Sequence, residues 1–352
     1  MKVTSDISVT GRRPARATWW RAYSRNGIRP LLIADYTRNI YAAPDRTSFE
    51  GLHQFVRPSP GWMIDRSGHF VEVAADIPRL TGTLQDGTPS GLLVESESFN
   101  ALPNNVLAGA AIGPLSQTGR LPDNWTLSGF APENTRVESI TVVDGIPRIQ
   151  LRFQGVPTAS EAYLFLADKT DIATVEGKGW VFSMSASLTA GSAEAFSGLH
   201  FYGSGWAQDG SYVSGSPGQF NSPSILPNMT STLKRFSFLG QLTGATCAFL
   251  RPSLRLSSTG GAVDVTLTIA LPQVEQRATA SSPILTQASG QARAAETVAL
   301  TGLQPSLYDV VIMRRGKPVV ELHSVALDTQ YWPAECLDAT TQSICLFPAD
   351  TL

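Results

Sequence analysis

The chain is poor in charge. Of its 352 residues, 16% are Asp, Glu, Lys or Arg, well under the roughly 25% of an average soluble protein. The 27 basic and 29 acidic residues leave a net charge of −2, so there is no global positive field to hold a nucleic acid. There are 3 cysteines and 4 histidines. No CxxC pair and no HExxH occurs, and His53, His69, His200 and His323 stand apart, so neither a metal nor a cofactor is expected. No stretch approaches about 18 apolar residues, so membrane insertion is not expected. The N-terminus, MKVTSDISVTGRRPARATWW, lacks the apolar core and cleavage site of a signal peptide. A product that leaves its cell is therefore expected to be made in the cytoplasm and released by lysis. Catalytic signatures are missing too. GTPSG at 87–91 has the wrong spacing for a nucleophile elbow, and the GSG of FYGSGW lacks the context of a nucleotide loop. No enzyme is expected.

What is abundant is Gly (30), Pro (23), Ser and Thr on a 42% hydrophobic background, the composition of short strands joined by tight turns. Period-2 alternation is explicit in the middle of the chain. Ile149, Leu151 and Phe153 alternate with Arg148, Gln150 and Arg152. Trp180, Phe182, Met184 and Leu188 alternate with Val181, Ser183, Ser185 and Ser187. Val263, Val265, Leu267 and Ile269 alternate with Asp264, Thr266 and Thr268. Each run has one face for a core and one for solvent. Without helical periods between them, such strands predict an all-β protein whose centre is a jelly-roll β-sandwich.

The expected organisation is an irregular N-terminal segment over 1–91, the sandwich over 92–285, and a small C-terminal β domain over 286–352. In that last part VVIMRRGKPVVEL reads as a hairpin turning at Arg315–Gly316–Lys317, with Pro318 suited to an edge. Cys336 and Cys345 are placed to pair across a hairpin, although a cytoplasmic origin favours free thiols. Cys247 and Trp125 read as core. Basic charge collects in the first thirty residues, with Arg12, Arg13, Arg16 and Arg21 around Trp19 and Trp20. Two readings stand for this arm: docking on a partner with the tryptophans as anchors, or folding back on its own domain.

Three segments resemble a known family. PRLTGTLQDGTPSGLLVESESFN matches at Pro78, Arg79, Gly87, Gly91, Leu92, Leu93, Val94, Glu95 and Asn100. LPDNWTLSG matches a first strand at Trp125. LPQVEQRATASSPILT, followed by RAAETVAL, matches a closing signature at Gln273, Glu275, Ala278, Thr279, Ser282, Pro283, Ile284, Arg293, Ala294 and Glu296. Over about 55–300 the chain resembles the head-spike and tail-fibre proteins of tailed phages and phage-like gene transfer agents, which carry a carbohydrate-binding-module-like jelly roll. It departs at Ser96–Asn100, where the family pattern has Ala-Arg-Thr-Asn. The resemblance implies a virion or phage-like particle surface protein, a homo-oligomer (trimer or pentamer) joined to capsid or other particle structural proteins. It also implies that the protein attaches to host surface polysaccharide such as a capsule.

A saccharide offers flat C–H faces and a rim of hydroxyls, which aromatic rings and planar polar groups can meet. The candidate carbohydrate-binding residues are Arg148, Gln150 and Arg152 on one strand, His200, Tyr202 and Trp206 on another, and Tyr212 in the following loop. If the two strands are neighbours they form one shallow groove, whose arginines favour an acidic glycan. A purely structural connector holding another receptor-binding fibre is the first alternative. A capsule depolymerase is the second; it would need paired carboxylates, for which Glu95/Glu97 and Asp168/Asp171 are candidates, Glu95 being read rather as a structural partner of a base such as Arg79.

Overall fold

The computed structural model describes residues 19–82, 90–192, 194 and 196–352. Arg12, Arg13, Arg16 and Gly87 lie outside these residues, as does the side chain of Trp19. The chain forms two compact units, one of Ser98–Arg293 and one combining the segments Met1–Glu97 and Ala294–Leu352. The first and last segments, which the sequence suggests as separate parts, thus fold together. The reason is strand pairing. The strand Ala339–Pro348 lies between Leu32–Asp35 and Ser306–Arg314, and its start pairs with Gly91–Val94. Alternation within a segment shows which residues face inward but not which distant segment supplies the neighbouring strand.

The N-terminal segment, expected to be irregular, carries strands only three or four residues long, such as Leu32–Asp35, Ile40–Ala42 and Gly61–Ile64. Such pieces are too short for a period to register. Trp20 packs with Tyr23 against Ile33, Val311, Cys345 and Phe347, so this tryptophan folds back on its own unit, while Arg21 is exposed. The predicted hairpin is present as Ser306–Arg314 paired with Val320–Leu327, the latter at the sheet edge. Gly91 has φ +130°, and a β-carbon there would sit 2.1 Å from the Thr341 carbonyl oxygen. Only glycine lets these two strands approach so closely. Cys336 and Cys345 are buried and unbridged, and burial raises their thiols to about 11 and about 12.

At the heart of this unit four charged side chains meet out of solvent. Arg79 donates from Nε to Glu296 Oε1 and from Nη2 to Glu296 Oε2, both at 2.8 Å, and from Nη2 to Glu95 Oε2 at 2.6 Å. Arg57 donates from Nη1 to Glu296 Oε1 at 2.8 Å and from Nη2 to the carbonyls of Val73 and Ala74. The backbone N–H of Glu95 donates to Glu296 Oε2, and that of Glu296 to the Glu95 carbonyl. Burial works to lower Arg79, but the neighbouring charges of Glu95 and Glu296 outweigh it and raise the guanidinium. The expected partnership of Glu95 with Arg79 is therefore present. It gives Glu95 a structural role as the ion partner of Arg79.

Close by in the same unit, His53 stacks on Phe49 with ring centroids 4.2 Å apart. Its Nδ1 donates to the Phe49 carbonyl at 2.9 Å, which leaves Nε2 to accept the Tyr36 hydroxyl at 2.8 Å. This is the arrangement the neutral ring makes. Burial lowers the imidazole from 6.5 to about 4.

Ser98–Arg293 is a two-sheet antiparallel sandwich, as the alternation predicts. The five-stranded sheet runs in the order Thr126–Ser128, Glu161–Phe165, Phe249–Ser258, Phe196–Trp206, Gln219–Asn221. The six-stranded sheet runs Lys234–Gln241, Gly179–Ser192, Val263–Glu275, Ile146–Gly155, Thr135–Val143, Gly113–Pro114. Ile149, Leu151, Phe153, Trp180, Phe182, Met184, Leu199, Phe201, Leu254 and Leu267 fill the space between, together with Trp125 and Cys247. Phe220 lies against Gly203 of one sheet and Gly240 of the other, where a β-carbon would come within 2.3 and 2.1 Å of its ring.

Two outcomes follow. Glu296→Gln leaves buried arginines without their counter-charge and should lower unfolding free energy by about 3–5 kcal/mol, read as a shift of the urea midpoint. The folded-state value of His53 lies below its unfolded value, so its contribution is full above pH 6.5 and is lost as pH falls toward about 4. That loss, about 3 kcal/mol at about 1.4 kcal/mol per unit, should flatten in His53→Gln, as thermal melts across this pH window will show.

Candidate functional site

Alternation leaves each sheet of the sandwich with an outward face, and the two faces differ in chemistry. On the five-stranded sheet, Ala162 and Leu164 point into the core while Glu161, Tyr163 and Phe165 point out. Leu250, Leu254 and Leu256 point in, while Arg251, Ser253 and Arg255 point out. Phe165 and Tyr202 flank Ser253 in register, and Ser253, fully buried, is small enough for rings to lean over it.

The result is a chain of five rings. Phe165 stacks on Tyr163 at 5.6 Å and 13°, and Tyr163 meets Tyr202 at 5.3 Å. The Tyr202 and Tyr212 hydroxyls lie 3.3 Å apart and both donate to Gln219 Oε1. Tyr212 meets Trp206 at 5.6 Å, with a β-bridge between their backbones. Cations sit over several rings. The Arg251 guanidinium lies 3.7 Å from the Phe165 centroid, Arg255 lies 5.6 Å from Tyr202, and the Lys169 ammonium lies 5.2 Å from Trp206. Tyr202 is only 6% exposed while Tyr212 is 45% exposed. Tyr202 is thus a support, with burial raising its phenol well above the ordinary value, and Tyr163, Phe165, Trp206 and Tyr212 present the accessible ring surface.

The single groove expected from sequence does not form. Arg148, Gln150 and Arg152 belong to the six-stranded sheet, whereas His200, Tyr202 and Trp206 belong to the five-stranded one. Both sets point away from the shared core, so the sandwich separates them. Arg152 is engaged by Asp264 through Nε and Nη2, each at 2.8 Å, and faces Glu138 at 3.7 Å. It lines a shallow recess of about 380 Å³ with Glu133, Asn134, Arg136, Glu138 and Gln154. Arg148 donates to the Val143 carbonyl, and Gln150 is half-buried. His200 turns its Nδ1 toward the Ser222 carbonyl at 2.8 Å. Tyr202, Trp206 and Tyr212 are brought together, joined by Tyr163, Phe165, Gln219, Arg251, Arg255 and Lys169, which the sequence reading missed. The signal for them was the alternation in EAYLF and FLRPSLRLS.

The polar and charged motif residues Arg79, Glu95, Asn100, Gln273, Glu275, Arg293 and Glu296 are buried, whereas Ala278 and Thr279 are exposed. Within the sandwich unit, Asn100 Nδ2 donates to the Ile284 carbonyl while its Oδ1 accepts from Leu102 and Val274 N–H groups. Gln273 Oε1 accepts from Ile284 N at 2.8 Å. Glu275 accepts from the Ser281 N–H at 3.0 Å and from its hydroxyl at 2.5 Å. Ser98, at the departure from the family pattern, receives the guanidinium groups of Arg277 and Arg293. Asp168 and Asp171 form a loop contact, Asp168 N–H donating to Asp171 Oδ2 at 2.8 Å.

No family model and no curated protein matches the chain. Solved structures similar to it include three proteins. The enzymatically active domain of tailspike protein 4 from bacteriophage CBA120 has 14% identity and a TM-score of 0.26, over 43% of this chain and 19% of that one. The tripod from the baseplate of bacteriophage Tuc2009 has 10% identity and a TM-score of 0.36, over 78% and 86%. The tandem CBM22 domains of Paenibacillus barcinonensis Xyn10C have 11% identity and a TM-score of 0.28, over 68% and 89%. The alignment thus spans about a fifth of the tailspike chain. Among the described residues, no helix is long and apolar enough to cross a membrane.

Proposed function

We propose that this chain is a surface protein of a phage-like particle that attaches to host surface polysaccharide through the outer face of its five-stranded sheet. The observation that carries the reading is the five-ring strip on a sheet face that alternation would otherwise leave polar. An aromatic face presents negative potential to the C–H groups of a sugar ring, and the phenol, indole and amide groups beside it supply directional hydrogen bonds. The resemblance of the sequence to spike and fibre proteins supports the particle setting. Its motif residues support the scaffold and leave recognition to the sheet surface. In this reading the protein is a homo-oligomer docked on other particle proteins, and its role is binding without catalysis.

The test uses binding of the full chain to capsule-bearing and capsule-stripped cells. Trp206→Ala with Tyr163→Ala should weaken binding about tenfold or more, equivalent to about 1.4 kcal/mol or more. Arg148→Ala with Gln150→Ala, on the other face, should leave it unchanged. Binding that survives the aromatic substitutions overturns the site, and equal binding to stripped cells favours a connector.

A further inference from the structure

The aromatic face carries cations, and arginine beside an aromatic strip ordinarily suggests an acidic glycan. Here each cation is already engaged. Arg251 donates from Nη2 to Thr126 Oγ1 at 2.9 Å and from Nε to the Ala167 carbonyl at 3.2 Å. Its guanidinium plane is taken up by Phe165. Burial lowers it, while the charges of Asp168 and Asp171 work in the opposite sense. Arg255 Nε lies 3.3 Å from Glu161 Oε2, an ion pair outside hydrogen-bond geometry, and Glu161 also accepts from Ser257 Oγ at 2.9 Å. Lys169 donates to the Gly210 carbonyl at 3.1 Å. Asp209, in the same turn, is held below the ordinary carboxylate range by Ser211, with Lys169 contributing.

Arg255 is therefore paired with Glu161, Arg251 and Lys169 spend donors on neutral groups of the chain, and Asp168, Asp171 and Asp209 set negative charge near them. A ligand carboxylate reaching Arg255 would have to displace Glu161, and elsewhere on the face it would meet Asp168, Asp171 and Asp209 as like charges. A neutral sugar ring meets no such opposition. It needs ring surface, which Trp206, Tyr212 and Tyr163 offer, and hydrogen-bond donors. Gln219 offers the latter: its Oε1 is used by two tyrosines, which leaves its amide N–H groups available.

We infer that the aromatic face of the five-stranded sheet selects neutral saccharides, its arginines and lysine serving to brace the rings rather than to bind an acidic group. This rests on the carbohydrate reading above and narrows it to a substrate class. It also replaces the acidic preference that the arginine-rich strand suggested, since Arg148 and Arg152 stand on the opposite sheet.

The experiment is an array of printed oligosaccharides, neutral and uronate- or sialate-bearing, probed with the full chain at about 0.05 M and about 0.5 M salt, which shortens the Debye length from about 14 Å to about 4 Å. The expected result is binding to neutral glycans that changes less than about twofold with salt, since no ion pair is formed. Binding confined to acidic glycans, falling more than about tenfold with salt, overturns the inference and leaves the carbohydrate reading standing. An array without hits for the wild type overturns both. Asp168→Asn with Asp209→Asn alters two exposed acids and leaves an amide oxygen at 209 to accept the Ser211 N–H. It should admit acidic glycans with a gain of about tenfold, and no gain overturns the charge-matching argument.

Discussion

A carboxylate buried among arginines governs how this chain can fold. Glu296 is out of solvent and receives both Arg57 and Arg79, and the latter also grips Glu95. Removing any one member strands a charge in a medium that cannot solvate it, so the four positions must be assembled together or not at all. They come from points more than two hundred residues apart in the chain, Glu296 lying 239 positions from Arg57 and 217 from Arg79. The unit they stabilise is therefore built from both ends of the chain. Everything between Glu95 and Glu296 must leave and return at neighbouring positions, and the reciprocal backbone contacts of these two residues meet that demand. The sandwich answers it from its own side, where Ser98–Asn100 pairs with Gln291–Arg293. An inserted domain is the topological consequence.

The same principle organises the polar knot inside the sandwich unit. Asn100, Asn105, Gln273 and Glu275 are buried, and each has its side chain satisfied by backbone groups or by Ser281 and Thr286. Asn100, Gln273 and Glu275 are among the residues that carry the resemblance to spike and fibre proteins. Their chemistry is that of loops forced into a dry interior, where every N–H and C=O must find a partner. A shared set of such residues preserves a scaffold and says little of what the scaffold displays. Recognition has to be sought on the faces where side chains are free to change without unravelling the interior.

Much of the fold was legible because strands such as Ile146–Gly155 and Val263–Glu275 are long and half-buried, and their alternation separates inward from outward residues without ambiguity. The site was only half legible. Alternation placed Arg152 and Tyr202 correctly on outward faces, yet it is silent about which sheet a strand joins. Sheet membership depends on pairing between distant segments, and the strand that neighbours Phe196–Trp206 is Phe249–Ser258. Tyr163 and Phe165 escaped notice because a five-residue strand holds only two turns of the pleat. The short N-terminal strands were hidden for the same reason, and the insertion was hidden because its cause is a contact between residues at opposite ends of the sequence.

The low charge of the chain takes on meaning at the aromatic face. A sheet surface whose cations stand among acids of similar number gives up long-range attraction and would gain indifference to salt. In the proposed reading, recognition there depends on ring area and hydrogen-bond direction, both short-ranged, so one copy on a shallow face would hold a sugar weakly. Several copies on one particle, as that reading proposes, would change the arithmetic, since each engaged face raises the effective concentration of the next. A flat strip is suited to this regime. It accepts many positions along a repeating polymer, and repeated weak contact with a repeating ligand gives firm attachment that can still be released one face at a time.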